Sequence, residues 1–457
     1  MLSNSTSSDR RARALDVLWL ALLMLFVVVG MPLATFHGDE AMQIYASRDY
    51  AAAFLRGDLE SLLTEPPYPI DSDQHLRILN GSINRYAIGL SWHVAGFSES
   101  DLPPAPGWDW GFNYAENLAT NHRPSEALLN AGRASSTLFL ALSVIVMFGL
   151  GEHFGGRLPA YIASGLYALH PVLLLNGRRA MQEGSLLFFG LLTVWLAASI
   201  ARRRADGHAA SVGWWLGLAL AAGLTLASKH SGIVLVAGAG AWLLAAELAH
   251  FDARAFVRVL AQLALTGVLA LGPFLMLSPA LWRDPLARVG DLLAVRAELL
   301  EIQVAANPDA PMTIAQRVEM LLREPFLNAP MHYEVASWGE DPAVLAEIAR
   351  YMESPLSGWQ FGPIVGLALT VIAAVGLVRA AVAIVRGGAG RGVRLGVLAL
   401  GLIVTASVLA NPLPWQRYAL AWLPVTILLC ALGFFTLIGW FSHTMKTTMA
   451  TPGGAGR

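Results

Sequence analysis

Ten apolar runs govern what this 457-residue chain can fold into. They fall at about 15–34, 127–150, 158–175, 182–201, 212–228, 231–249, 258–280, 361–385, 393–411 and 417–441. Each has roughly the 17–25 residues needed to cross a bilayer as a helix. Backbone groups inside hydrocarbon must be satisfied within the segment, so runs of this length predict helices. The composition agrees, at 55% hydrophobic and 14% charged residues. Soluble domains carry about 25% charged residues. A net charge of −1 lacks the concentrated basic surface of a nucleic-acid binder. The single cysteine, Cys430, lies in an apolar run. It rules out an internal disulfide framework and a cysteine-clustered metal site.

Arginine placement sets an expected orientation. With the start of the chain inside, the inner loops hold Arg157, then Arg202, Arg203 and Arg204, then Arg254 and Arg258, then Arg379, Arg386, Arg391 and Arg394. An even number of spans returns His443 and Lys446 to that side. Arg10, Arg11 and Arg13 precede the first run. That run exceeds a signal-peptide core of about 7–15 residues, which predicts an uncleaved first helix behind a disordered Ser3–Ser8 tail. The expected fold class is an all-α polytopic membrane protein of the inner or plasma membrane. Its parts are a cytoplasmic tail (1–14), a catalytic core (15–280) with a long outer loop (35–126), a second outer segment (281–358), C-terminal membrane helices (359–441) and a second cytoplasmic tail (442–457).

The outer loop has helical spacing of apolar residues at Met42, Ile44, Tyr45, Tyr50, Phe54 and Leu55, and again over 78–94. Amphipathic helices on the membrane surface fit this pattern, as do loop helices packed on one another. Pro103, Pro104, Pro106 and Gly107 break the loop, and Trp108 and Trp110 suit a membrane interface. The second outer segment has helical patterning near 286–303 and 343–352.

Four clusters carry candidate chemistry. Asp39 and Glu40 follow directly on the first apolar run. An acid there is either a solvated helix cap or a base. Arg178 and Arg179, with Glu183 about one helical turn on, occupy a turn that the positive-inside trend would leave without arginine. They either snorkel or bind an anion through the guanidinium fork. Lys229 and His230 lie between two apolar runs, in a chain with only one other lysine, Lys446. Lys229 reads as a headgroup anchor or a phosphate partner, His230 as structural. Trp415, Arg417 and Tyr418 open the last run, after Pro412 and Pro414. Arg133 and Arg85 complete the set. Cations would hold a lipid phosphate and stabilise it as it leaves, while a carboxylate takes the proton of an incoming hydroxyl.

With these residues the chain resembles the C-type-fold membrane glycosyltransferases, specifically the protein O-mannosyltransferase and aminoarabinose-transferase superfamily. The likeness runs from about Leu15 to Gly232 and returns at 277–285 and 411–424. It rests on the Asp39-Glu40 pair, on Arg178 through the Leu186-Leu187-Phe188-Phe189 run, and on Lys229 with Gly232. Glu183 stands where eukaryotic members usually have aspartate, and Asn80-Gly81-Ser82-Ile83 with Arg85 replaces the usual His-Pro-Pro-Leu and basic residue. The resemblance implies transfer of a mannose-like or other hexose or pentose unit from a polyprenyl-phosphate carrier to an acceptor hydroxyl. Transfer takes place on the non-cytoplasmic face with inversion. It implies Asp39 as base and Glu40 as its support or an acceptor contact. Arg178, Lys229 and Arg417 would bind the phosphate, and Arg85, Arg133, Arg179, Glu183, His230, Trp415 and Tyr418 would support them. No cofactor is expected, a divalent metal at the carboxylates (His37 and Asp39) being the lesser alternative. The partners are the sugar donor, a glycan, lipid or protein hydroxyl, and the bilayer. The rival classes are a transporter or flippase of lipid-linked sugars, a lipid-binding scaffold with a decayed site, and an oligosaccharide ligase using a diphosphate carrier.

Overall fold

The computed structural model describes residues 7–249, 252–307, 311–387 and 390–449. Most of the tail expected at Ser3–Ser8, and the side chains of His443 and Lys446, lie outside the described residues. Every apolar run is helical. They form α1 (Ser7–Val29), α5 (Glu126–Glu152), the pair α6 (Arg157–Ala168) and α7 (Pro171–Arg178), α8 (Glu183–Ala205), α9 (Val212–Ser228), α10 (Ile233–Leu248), α11 (Ala253–Leu277), α15 (Gly362–Arg386), α16 (Arg391–Ala410) and α17 (Trp422–Met449). Between them lie α2 (Gly38–Ala46), α3 (Asp73–Leu79), α4 (Ser82–Val94), α12 (Pro285–Ala306), α13 (Ile314–Arg323) and α14 (Pro342–Glu353).

Eight helices among the described residues are long and apolar enough to span, or nine if α6 and α7 count as one. The run at 212–228 became α9, whose 17 residues sit at the short end of the spanning range. The run at 158–175 is broken, not straight, with a 58° bend between α6 and α7. Pro171 opens α7 and restricts His170 to an extended conformation, so the helix stops and restarts there.

The helices are not equivalent. In α5 and α8, 67% and 72% of the most apolar window is buried, against 17% for α1 and 22% for α11. Thus α5 and α8 form the bundle centre, while the outer helices leave residues such as Leu18, Val268 and Leu377 exposed for lipid. Glycines set the closest approaches. Gly376 of α15 and Gly433 of α17 lie against each other's backbone, where a Cβ would collide with the Leu429 and Ile372 carbonyls.

The loop after α1 packs into a small core of its own. Ile44, Ile88, Trp92 and Trp108 are buried there. Trp108, expected at the membrane interface, is 0% exposed and packs among Phe36, Tyr114 and Trp338. Trp338 comes from the second long segment, so the two segments form one aromatic cap over the site.

Candidate functional site

The site begins at the N-terminus of α2. His37 is the N-cap, and its Nδ1 accepts from the Asp39 N–H at 3.1 Å. The Glu40 carboxylate accepts from the His37 N–H at 3.1 Å, closing a capping box. Because Nδ1 accepts, the neutral ring carries its proton on Nε2, which lies 3.7 Å from Glu334. Successive helical positions separate the two acids. Asp39 keeps 24% of its side chain exposed, whereas Glu40 is wholly buried.

Glu40 has no free oxygen to offer a substrate. It takes Nε and Nη2 of Arg133 at 2.7 and 2.8 Å, and the Ala180 N–H at 2.8 Å. Burial would raise its carboxyl, but Arg133 outweighs that and holds it low. Glu40 therefore bolts α2 to α5 and to the turn after α7. The acceptor contact expected of it is not available in this geometry.

Asp39 is the accessible acid. It pairs with Nη1 of Arg417. Nε of Arg417 lies 2.8 Å from Glu334. Burial alone would raise the Asp39 carboxyl, but Arg417 outweighs it and, with Lys229, holds it down at about 2. The Glu334 carboxyl is likewise lowered against burial by Arg417, and Arg417 is driven well above its ordinary value by Glu334 and Asp39.

Next to Arg417 stands Tyr418, and three cations surround its ring. The guanidinium carbon of Arg417 is 5.6 Å from the centroid, that of Arg296 5.9 Å, and Nζ of Lys229 6.0 Å. Lys229 is also 2.6 Å from Glu183 Oε1, while the buried Oε2 of Glu183 has no hydrogen-bond partner. Trp415 stacks on Tyr418 at 5.5 Å. Asp39, Lys229, Arg417, Tyr418, Trp415 and Glu183 thus lie in one linked cluster. Sequence reasoning missed two members. Arg296 sits on α12 in a helically patterned stretch with no motif. Glu334 follows His332 and Tyr333 in a connecting segment, where its only signal was a carboxylate isolated from other charges.

Arg178 is elsewhere employed. Its guanidinium is buried and donates to the carbonyls of Val27 at 2.9 Å, Phe26 at 2.8 Å and Leu356 at 2.5 Å. The first two are unpaired carbonyls of the last turn of α1, where a cation also meets the negative end of the helix dipole. Gly30 has no Cβ where this guanidinium crosses. The donors expected to bind phosphate are consumed by the backbone. Replacing Arg178 by alanine should therefore cost about 1–3 kcal/mol, the range for buried carbonyls left unpaired. Thermal unfolding in lipid nanodiscs reads that loss, with affinity for a lipid phosphate unchanged.

The remaining supporting residues divide similarly. Arg179 is spent on Thr35 and the His332 carbonyl at 2.6 Å. Arg85 pairs with Asp49 at 2.9 Å, which Arg77 also grips. His230 packs edge-on to Phe274. Asn80 of the divergent first-loop motif accepts from Gln182 at 2.7 Å and Gln43 at 3.2 Å, tying that loop to the turn before α8. Among the described residues no three His, Cys, Asp or Glu side chains assemble for a metal. Arg417 is the counter-charge between Asp39 and Glu334.

Residues 108–276 match the family described as dolichyl-phosphate-mannose-protein mannosyltransferase. No curated protein matches the chain. Among solved structures it is similar to the apo oligosaccharyltransferase of Archaeoglobus fulgidus, with TM-score 0.52, 12% identity, and 95% of this chain and 52% of that one covered. The archaeal oligosaccharyltransferase AglB from Archaeoglobus fulgidus in complex with an inhibitory peptide and a dolichol-phosphate gives 0.51, 13%, 96% and 52%. ArnT from Cupriavidus metallidurans bound to undecaprenyl phosphate gives 0.37, 15%, 93% and 78%. The chain spans about half the length of the archaeal structures it matches. It is an all-α polytopic membrane protein with the C-type fold of membrane glycosyltransferases.

Proposed function

We propose that the chain is a membrane glycosyltransferase that moves a sugar from a polyprenyl-phosphate carrier to an acceptor hydroxyl. The observation that carries this reading is Arg417. It links the one accessible carboxylate, Asp39, to the cations around Tyr418. Dolichol-phosphate in the archaeal structure supports a carrier of this chemistry. The arginine distribution supports a site on the non-cytoplasmic face.

In the reaction, Asp39 takes the proton of the acceptor hydroxyl. That oxygen attacks C1 of the sugar from the face opposite the phosphate, and the C1–O bond breaks. The electron pair leaves with the lipid phosphate, whose charge Lys229, Arg296 and Arg417 stabilise. One displacement inverts the anomeric centre. Glu334 and His37 position Arg417 and Asp39.

The Asp39–Arg417 pair also limits the resting enzyme, because a carboxylate held near 2 is a weak base. Donor phosphate would draw Arg417 away and restore basicity. The acid limb of kcat, which reports the substrate-bound enzyme, should therefore lie at higher pH than that of kcat/KM, which reports the free enzyme. Coincident limbs would refute this exchange. The sign for stability follows separately. The Asp39 carboxyl is depressed on folding from 3.8 to about 2. Its stabilisation is complete above the unfolded value and is lost as pH falls through that window.

Arg296 is exposed and reaches the cluster through its ring contact with Tyr418, so it serves as a probe of the cations there. Arg296→Ala should weaken donor binding by roughly 10–100-fold, the range for a charged hydrogen bond, with the unfolding midpoint unchanged. The direct test incubates the purified protein in nanodiscs with polyprenyl-phosphate-linked mannose and other lipid-phosphate sugars. Release of polyprenyl phosphate supports the enzyme. Movement of the intact sugar lipid across the bilayer without release would support a flippase instead.

A further inference from the structure

Helix α2 leaves one narrow face open. Of its residues only Asp39 and Met42 are half-exposed, and the rest are buried. The two stand three positions apart, which makes them neighbours on the helix surface, with Cβ atoms about 5–6 Å apart. Whatever lies against Met42 therefore borders the reacting carboxylate. Trp110 lies there. Its Nε1 donates to the Met42 Sδ at 3.1 Å. Its ring is 5.9 Å from that of His37, the N-cap whose Nδ1 accepts from the Asp39 N–H.

Trp110 is the open member of the aromatic cap. Phe36, Trp108, Tyr114 and Trp338 are all buried, whereas Trp110 keeps 37% of its surface exposed although it stacks on Trp338 at 6.0 Å. The turn that carries it is braced. A Cβ on Gly107, whose φ is +93°, would meet the Ala41 carbonyl and the Met42 Cα at 2.7 Å, so this loop rests directly on α2. Buried Asn117 donates to the Asp109 carbonyl and accepts from the Asp109 N–H, both at 2.9 Å. The Gly111 N–H reaches the Asp109 carboxylate at 2.8 Å. A ring held open on a fixed turn loses little freedom when it binds a partner. A headgroup anchor would turn its indole N–H toward polar groups. Here that N–H is spent on a thioether.

We infer that Trp110 is the platform on which a sugar ring of the acceptor stacks, an assignment that rests on the transferase reading above. The negative π face attracts the polarised C–H bonds of such a ring. With its N–H occupied by Met42, the indole offers flat apolar surface and no polar handle. Its occupant must therefore bring a flat C–H face and still carry hydroxyls at its edge, and a pyranose does both. The polarisable Met42 sulfur extends the same surface toward Asp39. A ring lying over Trp110 and Met42 places an edge hydroxyl at the carboxylate that takes its proton.

Hydroxyl-radical footprinting of the full chain in nanodiscs reads this surface at Trp110 and at Met42, whose thioether oxidises readily. Exposed Trp282 and Trp359 are internal controls. The probes are methyl α-D-mannopyranoside and methyl β-D-glucopyranoside, and sorbitol, a polyol without a ring, controls for radical scavenging. At least one methyl glycoside should protect Trp110 and Met42 and leave Trp282 and Trp359 unprotected, and sorbitol should protect none of them. Trp110→Ala should raise the half-protecting concentration, read at Met42, by about 2–10-fold, the range for one aromatic contact. Trp110→Phe keeps a ring but cannot bond Met42, and should stay close to wild type. Unchanged oxidation of Trp282 and Trp359 in both variants reports an intact fold. Equal protection of all three tryptophans, no protection, protection by a serine-containing hexapeptide alone, or identical titrations of wild type and Trp110→Ala would each overturn the inference. So would a Trp110 already shielded before sugar is added, the mark of a headgroup anchor. Failure of the wild-type protein to release polyprenyl phosphate would sink the transferase reading instead, with the footprint unaffected.

Discussion

Asp39→Asn is expected to lower sugar transfer by ~10²–10⁴-fold, the contribution of a positioned general base, with the fold intact. Asparagine preserves shape and still allows the backbone N–H of residue 39 to reach His37. It cannot take a proton at neutral pH. The side chain is partly exposed and bonded only through Arg417 and His37, so little packing is disturbed. Polyprenyl-phosphate binding should survive, because Lys229 and Arg296 make no bond to Asp39 and the change releases Arg417 toward the phosphate. Transfer rates under saturating donor, alongside lipid-phosphate affinity, separate the two. Wild-type transfer by this variant would remove Asp39 from the mechanism.

Arg133→Ala should be the most destabilising single change at the site, by about 3–5 kcal/mol, because it leaves a buried carboxylate without its partner. Arg133 is 1% exposed and Glu40 0%. Their two bonds are the main tie between α2 and α5. Neutralising both residues together, as Glu40→Leu with Arg133→Leu, should recover much of the loss, since a buried pair often gains little over apolar packing. The Ala180 N–H would then remain unpaired, so recovery should be incomplete. Unfolding midpoints of the two singles and the double, measured in the same nanodiscs, form the cycle. Equal effects of single and double would show that the ion pair is not what joins the helices.

Residues that face a site and residues that hold it look alike in a sequence. Asp39 and Glu40 are adjacent acids after one apolar run, and only the helical rotation of α2 turns one toward Arg417 and the other into Arg133. Arg178 and Lys229 both read as phosphate ligands. Arg178 is spent because its turn passes the C-terminal end of α1, whose carbonyls it satisfies. Arg296 and Glu334 carried no local pattern, since their partners lie far away in the chain. Trp108 looked interfacial because amphipathic rings favour headgroups. The cap formed with Phe36 and Trp338 offered it a dry alternative.

What the chain alone determined was its helices, because hydrocarbon tolerates no unpaired backbone and long apolar runs leave no other solution. Residue chemistry at the ends of those helices also marked where charge had to be managed. The tertiary structure decided how each charge was used. An arginine's five donors go to whichever acceptors packing brings near, and those neighbours came from other parts of the chain.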